Sequence, residues 1–138
     1  MFSIGALSRH TGVKVPTIRY YEQMGLMCAP ERTEGNQRRY GRAERERLGF
    51  IKHARDLGFS IEAISALIEL NDHPDRSCAE ASEIAAYQLS SVRKKIASLT
   101  RLESELSRIS DGCSGNGIAD ECYVLASLAD HARCETDH

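Results

Sequence analysis

Between Cys78 and Gly112 the chain contains neither proline nor glycine, and apolar residues recur there at helical spacing. Leu89, Val92, Ile96 and Leu99 follow a 3-4-3 pattern, and Leu102, Leu106 and Ile109 resume it after one irregular step. A helix of about 30 residues rises 1.5 Å per residue and extends roughly 45 Å. Nothing else in a chain of 138 residues is long enough to cover such a stripe. The stripe therefore predicts a second copy of the chain, a homodimer joined through this helix. The alternative is packing back onto the N-terminal part, which already has a core of its own to fill.

That N-terminal part reads as a series of short helices. Ser3 caps IGALSRHT, with Ile4 and Leu7 inward and a stop at Gly12. VKVPTIRYYEQMG starts a second helix near Pro16 and ends it at Gly25, and two short helices about a tight turn make a helix-turn-helix. In ERTEGNQRRYGRAE, Gly35 and Asn36 suit a hairpin turn whose returning arm is Gln37, Arg38, Arg39 and Tyr40, a wing beside the helix pair. AERERLGFIKHARDLG places Leu48, Ile51, Ala54 and Leu57 on one face and closes at Gly58. Ser60 then caps IEAISALIEL, with Ile61, Ile64, Leu67 and Ile68 inward, before the polar punctuation NDHPDRS.

The near-neutral total charge hides an uneven distribution. Residues 1–58 carry 11 Lys/Arg against 6 Asp/Glu, whereas residues 59–138 carry 7 against 14. A basic head with arginine and tyrosine interleaved suits a phosphate-bearing partner. No apolar run is long enough to span a membrane and the N-terminus lacks the pattern of a signal peptide, so a cytoplasmic protein is expected. Five cysteines in a reducing compartment favour metal binding or redox reactivity over a disulfide framework. No HExxH, nucleophile elbow or phosphate-binding glycine loop is present, and no enzyme is expected.

IGALSRHTGVKVPTIRYYEQMGL, the GNQRRYG wing, RLGFIKHARDLGFSIEAI and the long helix, in this order, resemble the MerR family of bacterial transcriptional regulators. CAEAS before the long helix and CSGNGIADEC after it are similar to the divalent thiophilic metal sensors of that family, the zinc, cadmium, lead and mercury responders. The resemblance implies a mainly α fold, with a winged helix-turn-helix DNA-binding head and a long dimerisation helix in an antiparallel coiled coil. It implies promoter DNA and RNA polymerase as partners, and activation by distortion of the duplex when metal binds. On the family pattern Lys14, Thr17, Arg19, Tyr20, Arg38 and Tyr40 are the expected DNA contacts, with the N–H groups of Lys14 to Thr17 open to a phosphate. Tyr21 is the tyrosine expected to be buried.

Residues 1–70 are expected to form the DNA-binding domain, 71–80 a linker, 81–111 the dimerisation helix, and 112–138 a metal-binding loop, short helix and tail. Cys78 and Cys113, at opposite ends of a helix of this length, are roughly 45 Å apart in one chain, so one chain cannot close a site between them. Antiparallel pairing brings Cys78 of the partner subunit to Cys113 and Cys122, giving two equivalent shared sites. The glycines between Cys113 and Cys122 let the backbone aim both sulfurs at one centre. Thiolates favour soft ions over magnesium or calcium, and the third sulfur favours a divalent one. Water, Cys134 or His131 is left to supply a fourth ligand where zinc seeks one. Cys28 reads as a packing residue. The rival reading is a thiol-based redox regulator on the same scaffold, using Cys113 and Cys122 as a reversible pair.

Overall fold

The computed structural model describes residues 1–28, 31, 32, 35, 38–112, 115, 117–119 and 122–129, apart from the side chains of residues 31, 32 and 38. The chain order is α1 (Ile4–Thr11), α2 (Val15–Gln23), β1 (Glu31–Arg32), β2 (Arg38–Arg39), α3 (Arg42–Asp56), α4 (Ile61–Asn71), α5 (Ala79–Asp111) and α6 (Tyr123–Ala129). Contacts divide it into two compact units, Met1–Ala85 and Ala86–His138. The expected linker 71–80 falls inside the first unit.

Local chemistry accounts for the ends of the head's helices. Ser3 Oγ accepts the Ala6 N–H at 3.1 Å and caps α1. Gly12 ends it at φ 76°, where a Cβ would be strained, and donates its N–H to the Ser8 carbonyl at 2.8 Å. Thr11 braces the turn into α2, its hydroxyl donating to the Leu7 carbonyl at 2.8 Å and accepting the Val13 N–H at 3.3 Å. Glu44 accepts the Gly41 N–H at 2.7 Å to start α3, and Ser60 Oγ accepts the Ala63 N–H at 3.1 Å to start α4.

α1 packs on α2 and α3, and α3 packs on α4. Leu7, Val13, Ile18, Tyr21, Leu26 and Met27 meet Leu48, Ile51, Ala54, Ile64 and Ile68 in one core. Leu57 departs from the expected inward face. It follows the last residue of α3 and is 56% exposed, because the helix ends before its side chain is carried round to the core. β1 and β2 form an antiparallel hairpin with Glu31 opposite Arg39 and Arg32 opposite Arg38. Asn36 and Gln37 of the expected turn lie outside the described residues. Phe2 and Tyr40 exchange backbone hydrogen bonds of 2.6 and 2.7 Å and tie the N-terminus to the base of the hairpin.

The segment between α4 and α5 is held to the head by side chains. Arg47 pairs with Asp72 at 2.5 Å, Arg76 with Glu69 at 3.3 Å, and His73 Nδ1 lies 2.8 Å from the Glu69 carbonyl oxygen. These contacts explain why a segment that reads as punctuation belongs to the compact unit before it.

α5 runs unbroken for 33 residues. Along its stripe Leu89, Ile96, Leu99, Leu102 and Leu106 are each 36% to 64% exposed, while Ile109 is buried. The described residues leave most of this face uncovered. α6 follows, and the Cys122 carbonyl accepts the Ala126 N–H at 3.0 Å in its first turn.

Truncating Leu48, which is fully buried, to alanine is expected to cost about 2–5 kcal/mol in urea unfolding. Leu57→Ala, at the exposed end of the same helix, should cost no more than about 0.5 kcal/mol.

Candidate nucleic-acid interface and metal centre

α2 is oriented by its inner face. Ile18 and Tyr21, three residues apart, are buried in the core, which turns Lys14, Arg19 and Tyr20 outward. Lys14 and Arg19 are exposed, Thr17 is half-buried, and Tyr20 is 46% exposed. Cationic and phenolic groups thus share the outer side of one helix.

The start of α2 differs from the expectation of several open N–H groups. Pro16 has none, and the Thr17 N–H is occupied by the Lys14 carbonyl at 2.9 Å. The groups at this end that stand open to a phosphate are therefore mainly side chains. Arg38 lies in β2 with its side chain outside the described residues, and Arg39 beside it is half-buried.

Tyr40 is the clear correction. Expected at the DNA surface, it is fully buried, and its hydroxyl donates to the Glu22 carboxylate on α2. With its main chain paired to Phe2, it positions the base of the hairpin against α2 and has no exposed atom to offer a phosphate. Glu22 is the residue that sequence reasoning passed over. The only available hint was an acidic side chain on α2 next to Tyr21, the tyrosine expected to be buried.

Cys78 precedes α5 with its thiol exposed, and its carbonyl accepts the Ser82 N–H at 3.0 Å. Cys122 is half-buried at the start of α6, with its N–H donating to the Ala119 carbonyl at 3.1 Å. Neither is in a disulfide. Cys113, Cys134 and His131 lie outside the described residues, and among the described residues no three metal-binding side chains gather. The donor chemistry fits a soft ion, since thiols that remain reduced become thiolate ligands on metal capture. Cys28 is exposed, not packed as expected, beside a shallow pocket formed with Met27, Ala43, Glu44 and Arg47.

Next to Cys122 in sequence begins a partly buried polar cluster that the sequence reading also missed. Arg108 donates from Nη1 to the Tyr123 hydroxyl at 2.6 Å and from Nη2 to Glu105 at 3.0 Å. Its hydrogen bond to the Glu105 carboxylate raises the Arg108 pKa above its usual value, against the opposing effect of desolvation, and Tyr123 adds to the rise. The Glu105 and Arg108 spacing was visible, but such i,i+3 pairs on long helices are usually solvated.

Residues 2–70 match the MerR HTH family regulatory protein model, and residues 45–109 match the MerR DNA-binding model. The chain belongs to the MerR family. It is 40% identical over 126 residues to the mercuric resistance operon regulatory protein of Pseudomonas fluorescens, covering 91% of this chain and 86% of that one. It is 38% identical over 130 residues to the HTH-type transcriptional regulator ZntR of Escherichia coli strain K12, covering 93% and 92%. Among solved structures it is similar to the transcription regulator PbrR691 from Ralstonia metallidurans CH34 in complex with lead(II). That likeness has a TM-score of 0.79 at 34% identity over 93% of this chain and 99% of the other. As a MerR-family member the protein is a transcription regulator, not an enzyme. No described helix is long and apolar enough to cross a membrane.

Deleting the Tyr40 hydroxyl in Tyr40→Phe should leave Glu22 short of a donor and cost about 1–3 kcal/mol in chemical unfolding. Tyr20→Phe, on the outer side of α2, should stay within about 0.5 kcal/mol of the parent protein.

Proposed function

We propose that this MerR-family protein is a metal-responsive activator that binds a pseudo-palindromic promoter site as a homodimer in the cytoplasm. Activation follows distortion of the duplex once a divalent thiophilic ion, zinc, cadmium, lead or mercury, is bound. The observation that carries this reading is α5, an unbroken helix with an uncovered apolar stripe and a cysteine at each end. A helix of 33 residues is about 50 Å long, whereas sulfurs sharing one ion lie roughly 4 Å apart. Cys113 and Cys122 therefore act together with Cys78 of the partner subunit across an antiparallel coiled coil. Cys134 is a possible additional ligand to the same ion.

Residues 1–70 serve as the DNA-binding domain, 71–80 as the linker, 81–111 as the dimerisation helix and 112–138 as the metal-binding end. Lys14, Thr17, Arg19, Tyr20 and Arg38 contact the duplex, and Tyr40 acts by positioning the wing. Lysine and arginine supply the salt-dependent phosphate attraction, while the arrangement of two heads on one dimer sets the spacing of the half-sites. Bending or untwisting a promoter costs a few kcal/mol. The bound ion would supply that energy as differential affinity for one dimer conformation. The distorted promoter is then presented to RNA polymerase.

Cys78→Ser, Cys113→Ser and Cys122→Ser should each abolish metal-dependent activation in a reporter assay while leaving promoter affinity within about twofold of the parent, since none lies on α2 or the wing. Normal activation by any one variant removes that cysteine from the site, and activation by oxidant without metal favours the redox reading.

A double substitution of Leu99→Glu and Leu106→Glu on the uncovered stripe should turn a dimer into a monomer in sedimentation. Promoter binding should weaken steeply with salt, and Arg19→Ala should lower the slope of log K against log salt by about 1. An unchanged slope would place Arg19 away from phosphate.

A further inference from the structure

The end of α5 and the start of α6 are locked together by contacts that the proposed metal chemistry does not use. Gly112 follows the last residue of α5, and Tyr123 follows Cys122 at the first position of α6. A Cβ at Gly112 would stand 2.8 Å from Tyr123 Cγ and nearer still to Cδ1 and Cε1. Ring atoms do not yield to such an overlap without moving the whole side chain. Glycine is therefore required here by close approach, not by turn geometry.

The far end of the same ring is fixed as well. Arg108 Nη1 donates to the Tyr123 hydroxyl at 2.6 Å, and the guanidinium carbon lies 6.0 Å from the ring centroid. Arg108 is in turn held by Glu105, whose side chain is 7% exposed. A carboxylate this enclosed is costly unless paired, so the buried Glu105, the partly buried Arg108 and the Tyr123 hydroxyl form one hydrogen-bonded unit. The backbone of Cys122 is gripped on both sides, its N–H by the Ala119 carbonyl and its carbonyl by the Ala126 N–H.

We propose that Gly112, Arg108, Glu105 and Tyr123 form a clamp that sets the position of Cys122 and so tunes the capture of a thiophilic ion by its thiol. These are positioning residues, acting through Cys122 and not as ligands. The proposal rests on Cys122 being a metal ligand, as argued above. Its logic is that of other outer-shell contacts. A ligand whose place is fixed before the ion arrives pays less ordering entropy on binding, and disturbing such supports typically costs 10–100-fold in affinity.

The test uses the full-length reduced protein titrated with cadmium(II). It reads thiolate-to-cadmium charge-transfer absorption and affinity by chelator competition, with circular dichroism and metal-free promoter binding as controls. Gly112→Ala is expected to weaken cadmium binding by at least about tenfold and to alter the charge-transfer band. Tyr123→Phe keeps the ring and removes only the oxygen bound to Arg108, and should weaken binding severalfold with the helix signal unchanged. Tyr123→Phe decides the matter should Gly112→Ala fail to fold. Parent-like affinity and spectrum in Tyr123→Phe, alongside loss of the band in Cys122→Ser, overturns the clamp and leaves the metal reading standing. Retention of the full band by Cys122→Ser removes Cys122 as a ligand, and the clamp's role falls with it.

Discussion

An apolar stripe that the described residues of its own chain leave uncovered is the constraint on which the rest of this molecule depends. Leu89, Ile96, Leu99 and Leu106 lie along α5 at about half exposure or more, and the hydrophobic effect acts on each of them at roughly 25 cal/mol per Å². The described residues of one chain do not collect that free energy, whereas the two antiparallel copies proposed above would. In the dimer proposed above the same pairing would let widely separated cysteines serve one centre, so dimerisation and sensing would share a single physical cause. In that proposed arrangement one proline near the middle of α5 would remove both together.

The head works by a division of labour within each short element. On α2 the residues that make it fold, Ile18 and Tyr21, are not the ones that face outward, Lys14, Arg19 and Tyr20. Burial of the first set fixes the direction of the second, and cationic groups on a rigid helix lose less freedom on meeting phosphate than the same groups on a loop. Tyr40 belongs wholly to the first set. Its hydroxyl on Glu22 makes the angle between wing and helix a property of the core, so a change of wing position has to break a buried contact first.

Much of this was legible in the chain because the signals were local. Ser3, Gly12 and Ser60 act as caps and stops where their chemistry requires, and the uninterrupted run after Cys78 forms a single helix. What escaped detection depends on tertiary neighbours. An inward Tyr40 and an outward Tyr20 look alike in sequence, and Leu57 satisfies the helical spacing that the end of α3 then cancels. Arg47 and Asp72 lie 25 residues apart, and Arg108 and Tyr123 lie 15 apart. No periodicity connects such pairs, because each is made by the way the chain turns between elements.

The pairing of Phe2 with Tyr40 bears on how the protein is handled. An affinity handle or fluorescent fusion placed ahead of Met1 would emerge one residue from the strand bridge at the base of the wing. Bulk there presses on the same backbone that aligns the hairpin with α2, so a fusion at this end would report on its own disturbance as much as on promoter recognition.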